Sequence, residues 1–187
     1  MKHTALILGI AITLASMSAL ANIPPTGSKY VGSNACKACH NMPKTGKQYA
    51  AWEASAHAKA FKTLQTPEAD KIAASKGHKT KAAETEACLT CHVTGMDVKG
   101  AQFDAKFAKT EGVGCEACHG AGEGYKSKHA KKETLKDAIA AGLELPKVDD
   151  GSAEKMCKTC HNDKSPTFKG FKFQEYWKKI AHPLPQG

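Results

Sequence analysis

The chain has 187 residues, enough for one modest domain, and few aromatic residues (six Phe, four Tyr, two Trp) with which to build a core. Its formal charge is +9, carried by lysine because arginine is absent. Recognition of bases and phosphates favours the planar, bidentate arginine fork, so the basicity gives little ground for nucleic-acid binding, and no nucleic-acid partner is expected.

The first segment reads as an export signal. Lys2 and His3 precede an apolar run from Ala5 to about Leu14, and Ala19-Leu20-Ala21 fits a small-residue cleavage site. Residues 1–21 are expected to be a signal peptide cut after Ala21, leaving a single domain over 22–187. The apolar run is short against the roughly 20 residues that span a bilayer, which argues against a retained anchor. The mature chain is expected to be soluble, to lack a transmembrane segment and to reside in the periplasm.

After a loosely packed lead-in from Asn22 to Lys29, helical signals dominate. Lys47 to Leu64 is rich in alanine, carries its larger apolar residues at helical spacing and stops before Pro67. Thr134 to Leu143 is a second helical stretch, with Gly142 and Pro146 near its end, and Phe173 to Ala181 is a third, stopped by Pro183. Loops are expected at Lys76–Lys79, Gly120–Gly124 and Asp149–Gly151. No stretch alternates apolar and polar residues for long. The expected fold is mainly α, with short helices and loops and little or no β-sheet.

The cysteines carry the strongest signal. They form four pairs, Cys36/Cys39, Cys88/Cys91, Cys115/Cys118 and Cys157/Cys160, each with two residues between its members. A histidine follows every pair at once: His40, His92, His119 and His161. C-x-x-C-H is the attachment site of c-type haem. On a helical turn, residues i and i+3 share a face, so both thiols reach one haem edge, and the histidine at i+4 points to the iron from the same side. Two zinc sites or a disulfide scaffold would use the cysteines but leave the repeated histidine unexplained. Four covalent haem c groups are therefore expected, closely packed, with the short helices wrapped around them and their apolar faces supplying the missing core. Their propionates would add about eight negative charges and offset most of the lysine excess.

What fills the sixth position of each iron decides whether a haem passes electrons or binds a small molecule. Beyond the motifs the mature chain holds His57, His78, His129 and His182. His57, flanked by alanines on a helical stretch, His129, behind a glycine-rich loop, and His182, before Pro183, are the favoured ligands. The plainer readings are an exposed helix histidine, a solvated lysine-rich face and a helix C-terminal histidine. His78, in the polar Gly77-His78-Lys79, is the weakest candidate. Met42, Met96 and Met156 lie too near their own motifs to reach across the haem.

These motifs resemble the tetrahaem cytochrome c-554 family, known from ammonia-oxidising bacteria. The likeness runs from about Tyr30 to His182 and is most specific at Cys36–His40 followed by Trp52–Ala60, at Gly112–Gly122 with His129 behind it, and at Phe171–Phe173 leading to His182. The resemblance implies three bis-histidine haems and one five-coordinate haem, held by Cys88, Cys91 and His92. It implies His129 across from the first haem, His182 across from the third and His57 across from the fourth. This chain departs from the family in being shorter after the fourth motif and in carrying His78, which would close the open site if it reached the second haem.

The expected function is electron transport between redox partner proteins, and the resemblance implies a larger multihaem oxidoreductase as donor. Lys126, Lys128, Lys131 and Lys132 could steer docking onto an acidic partner. The alternative is nitric oxide binding or reduction at the second haem, so enzyme activity is expected to be at most a side activity. A structural or sensory haem module has little support, because no partner domain is attached.

Overall fold

In the computed structural model, whose described residues are 27–184, nine short α-helices are joined by loops and single 3₁₀ turns. They are α1 (Asn34–His40), α2 (Gln48–Ala54), α3 (Ala60–Thr63), α4 (Pro67–Ser75), α5 (Glu86–His92), α6 (Glu116–His119), α7 (Leu135–Ala140), α8 (Ser152–Cys157) and α9 (Phe173–Ile180). Among the described residues, sheet is limited to one parallel pair, β1 (Lys29–Tyr30) with β2 (Gln102–Phe103). The mainly helical expectation holds. The expected signal peptide lies outside the described residues.

The stretch from Lys47 to Leu64 is broken where one helix was expected. Ser55 adopts an extended backbone and ends α2, a 3₁₀ turn carries His57 to Lys59, and α3 follows. The break is set from outside the segment. Val113 N donates to His57 O at 3.0 Å, and Trp52 Nε1 donates to Val113 O at 2.8 Å. The segment at Val113 thus engages a carbonyl, His57 O, that a continuous helix would have used itself.

Gly112 makes that approach possible. It has φ +68°, and a Cβ there would meet His57 O at 2.7 Å. Gly112→Ala combines a backbone conformation reserved for glycine with a clash against backbone, and is expected to cost roughly 2 kcal/mol or more. Denaturant unfolding of the holoprotein measures this, and a variant as stable as the parent would mean that residues 112–113 do not seat the His57 turn.

α4 carried a sequence signal that helical periodicity alone passes over. Thr66 Oγ1 accepts from Ala69 N at 3.2 Å and Pro67 occupies the first turn. An N-cap threonine followed by proline is a standard helix start. Lys29, expected in a loose lead-in, is instead pinned in β1, with its N–H donating to Glu123 Oε2 at 3.0 Å.

Buried apolar side chains gather in two small clusters. One joins Phe61, Leu64, Ala73, Ala82, Leu89 and Val93, and packs α3 and α4 against α5. The other joins Tyr125, Ala138 and Leu143 beside α7. Two buried or half-buried carboxylates anchor the start of the domain. Glu116 accepts from Val31 N, Gly32 N and Gly122 N at 2.8, 2.7 and 2.6 Å, and Glu111 accepts from Ser33 N at 2.5 Å. They hold the segment before α1 against α6.

Candidate haem-binding site

Each C-x-x-C-H motif adjoins or enters a helix. The first lies on α1, the second on α5 and the third runs onto α6, while α8 ends at Cys157 and a turn carries Cys160 and His161. None of the eight cysteines is in a disulfide. Among the described residues, no group of three or more Cys, His, Asp or Glu side chains is arranged to hold a bare metal ion. The donors are therefore not gathered as zinc sites would require.

Three of the motif histidines each face a histidine from a distant segment. His40 and His129 stand with Nε2 atoms 3.3 Å apart and rings nearly parallel, their planes 6° apart. The His119 and His182 rings are 6.0 Å apart and tilted by 42°, and the His57 and His161 rings are 6.0 Å apart and tilted by 53°. Two imidazoles sharing one metal ion, each about 2.0–2.1 Å from it, place their nitrogens about 4 Å apart. The His40–His129 contact lies within about 1 Å of that spacing, so the donors fit a shared iron.

The rings are also oriented from behind. His92 Nδ1–H donates to Ala60 O at 2.8 Å, His119 Nδ1–H to Glu144 O at 2.9 Å and His129 Nδ1–H to Tyr125 O at 3.2 Å. A proton held on Nδ1 leaves the Nε2 lone pair free for a metal. His161 is held differently, stacked on Phe171 with centroids 4.8 Å apart and planes at 17°. Burial pushes His40, His57, His119 and His161 below the usual histidine value, which favours the neutral imidazole that a metal requires.

His92 differs from the other three. Among the described residues no histidine ring stands opposite it. His78 borders a surface hollow with Glu86, Ala87 and Thr90. By helical spacing those residues lie on the side of α5 away from Cys88, Cys91 and His92.

The sulfur atoms fix the order of the motifs in space. The Cys36 and Cys115 thiols are neighbours that shift each other's acidity, as are those of Cys91 and Cys160. Burial, reinforced by nearby Cys157, raises the Cys118 thiol to about 12. Linked through these neighbours, the motifs run first, third, fourth, second. Residue spacing shows none of this order, nor the roles of Glu116, Glu111, Ala60 O and Glu144 O. A charged residue inside Cys115-Glu116-Ala117-Cys118 was the one available hint.

A mainly helical chain that gathers C-x-x-C-H motifs with facing histidines has the design of a multihaem c-type cytochrome. Residues 35–120 match the family described as cytochrome c554 and c-prime. Cytochrome c-554 of Nitrosomonas europaea is 30% identical over 178 residues, covering 89% of this chain and 71% of that protein. The solved structure of reduced cytochrome c554 from the same organism shares the fold at TM-score 0.55 and 23% identity, over 82% of this chain and 83% of that one. The chain belongs to the cytochrome c554 family, whose members carry covalent c-type haems and transfer electrons.

Proposed function

We propose that this chain is an exported, periplasmic carrier with four covalent haems, relaying electrons between partner proteins. The observation that carries the reading is the set of three opposed histidine pairs, each joining a motif to a distant segment. Covalently held haem supplies a one-electron iron couple. The chain supplies the rest. Cys36, Cys39, Cys88, Cys91, Cys115, Cys118, Cys157 and Cys160 attach the groups. His40, His92, His119 and His161 are the motif-side iron ligands, and His129, His182 and His57 lie across from the first, third and fourth. The carbonyls behind Nδ1 fix tautomer and ring direction. The first–third–fourth–second succession of sulfurs supports a chain of closely spaced haems with the first and second at its ends.

Docking at the first-haem end is supported by exposed Lys126, Lys128, Lys131 and Lys132, which flank His129. Such a surface fits an acidic redox partner, including a larger multihaem oxidoreductase as donor.

A second reading concerns the second motif alone. No histidine ring faces His92 among the described residues, and His78 sits behind α5. Both observations favour a five-coordinate haem able to take nitric oxide.

Purification from the exported fraction tests the main reading. The mature protein is expected to begin at Asn22 and to carry the mass of four haems. Its reduction by an acidic donor protein should slow as salt rises. Fewer than four attached haems, or an uncleaved leader, would sink it.

A further inference from the structure

α3 is only four residues long, yet it is locked against the second motif. Phe61 and Leu64 are buried together with Leu89 and Val93, and Val93, which follows His92 in the chain, is 2% exposed. That packing fixes where Thr63, between Phe61 and Leu64, stands relative to His92. Its Oγ1 lies 3.2 Å from His92 Nδ1.

The hydrogens around this nitrogen can be counted. Ala60 O, 2.8 Å from Nδ1, can only accept, so Nδ1 carries the proton. The Thr63 hydroxyl gives its own proton to Ala60 O at 2.7 Å. Its oxygen is left to accept, and on the His92 side it meets Nδ1–H. A carbonyl and a hydroxyl oxygen of one turn therefore share that hydrogen.

The plainer role for Thr63 is a hydroxyl bonded back to its own turn. Ser75, Thr90 and Thr159 do this with Ile72 O, Ala87 O and Met156 O. Among the described residues, Thr63 alone also sets its hydroxyl on a histidine ring nitrogen. His119 and His129 have only the backbone carbonyls Glu144 O and Tyr125 O behind Nδ1. The added hydroxyl falls on the motif histidine that no other histidine ring faces.

We propose that Thr63 is a positioning residue for the second haem site, its hydroxyl oxygen sharing the Nδ1–H of His92 with Ala60 O and setting how strongly that imidazole donates to iron. An acceptor on Nδ1–H makes the opposite nitrogen a better donor, which favours ferric iron and holds the potential down. At a five-coordinate iron the same imidazole stands opposite an incoming small molecule, so Thr63 also bears on how firmly nitric oxide is held. The inference rests on reading His92 as an iron ligand.

Redox titration of the holoprotein and resonance Raman spectroscopy of its ferrous form test it. Thr63→Val replaces the hydroxyl by a methyl of similar size, which keeps water from taking its place. It is expected to lower the ferric-to-ferrous ratio of one haem about threefold at fixed ambient potential, a rise of about 28 mV for a one-electron couple. The iron–imidazole stretching band of the five-coordinate ferrous haem should move to lower frequency. Thr63→Ser keeps the hydroxyl and should restore both readouts. A role confined to the helix turn changes stability but moves neither.

A raised potential in the valine variant, with parent values in the serine variant, supports the proposal. Parent potentials in the valine variant, or valine and serine variants that shift alike, would overturn it. If Thr63→Val does not take up its haems, Thr63→Ala replaces it, a raised potential supporting the inference and an unchanged one rejecting it. A parent without the iron–imidazole band overturns the five-coordinate reading alone, and the potentials still decide on Thr63. A parent with no haem on Cys88 and Cys91 overturns the reading of His92 as an iron ligand and this inference with it.

Discussion

Alanine at His129, at His182 or at His57 is expected to turn one ferric haem per variant from low spin to high spin, while alanine at His78 leaves the oxidised spectrum unchanged. The expectation follows from the geometry of the pairs. His129 faces His40 with its Nε2 3.3 Å away, and the His182 and His57 rings stand 6.0 Å from those of His119 and His161. Removing one ring takes a strong nitrogen donor from one site and leaves the others intact, because each facing histidine comes from a different segment. Loss of that donor also favours the ferrous state, so the affected potential should rise. His78 borders a hollow with Glu86, Ala87 and Thr90, on the side of α5 that helical spacing turns away from His92. Electron paramagnetic resonance on the oxidised holoproteins is the measurement. Loss of a low-spin signal in His78→Ala would assign His78 as the fourth facing ligand and remove the five-coordinate reading. An unchanged spectrum in any of the other three would strike that residue from the ligand set.

Glu116→Ala is expected to be the most damaging change outside the haem ligands. The carboxylate is 2% exposed and accepts three backbone N–H groups, from Val31, Gly32 and Gly122. Alanine leaves all three donors buried without a partner, at about 1–3 kcal/mol each. A total of roughly 3 kcal/mol or more is a large share of the about 5–15 kcal/mol that holds a typical domain folded. The damage should reach the haem sites, because Ser33 Oγ next in the chain accepts from Cys115 N at 3.2 Å and ties the first motif to the third. Glu116→Gln keeps one carbonyl oxygen and should lose less. Chemical unfolding of the three holoproteins gives the ranking, and an alanine variant as stable as the parent would show the anchor to be dispensable.

The pH dependence of this anchor has a definite sign. Burial pushes the Glu116 carboxyl above its ordinary value, and the three N–H donors pull it back only in part. The folded chain then binds this proton more tightly than the unfolded chain does. Its contribution is full below the ordinary carboxylate value and is lost as pH rises through the folded one. Mild acid should therefore leave the anchor in place, and Glu116→Gln should flatten stability against pH on the weakly acid side.

What the sequence determined by itself is local. Two cysteines three apart and a histidine one further on share a helical face wherever the helix goes, so the attachment sites are legible residue by residue. Proline sets helix limits at Pro67 and Pro183 in the same way, whereas the Thr66–Pro67 start of α4 was a local signal that the reading by periodicity passed over. Helical spacing along several stretches and the absence of alternating ones were enough for a mainly helical fold. The tertiary structure decided everything that depends on segments far apart in the chain. His40 meets His129 across 89 positions, and nothing in either neighbourhood names the other; the family resemblance supplied that pairing, not the residues. The break of the 47–64 stretch was invisible for the same reason, because its cause is a backbone bond from Val113. Glu116 reads as an ordinary polar residue until burial removes water and makes each remaining hydrogen bond count. Side-chain chemistry and short-range geometry are written in order along the chain, whereas burial and long-range pairing exist only once the chain has closed on itself.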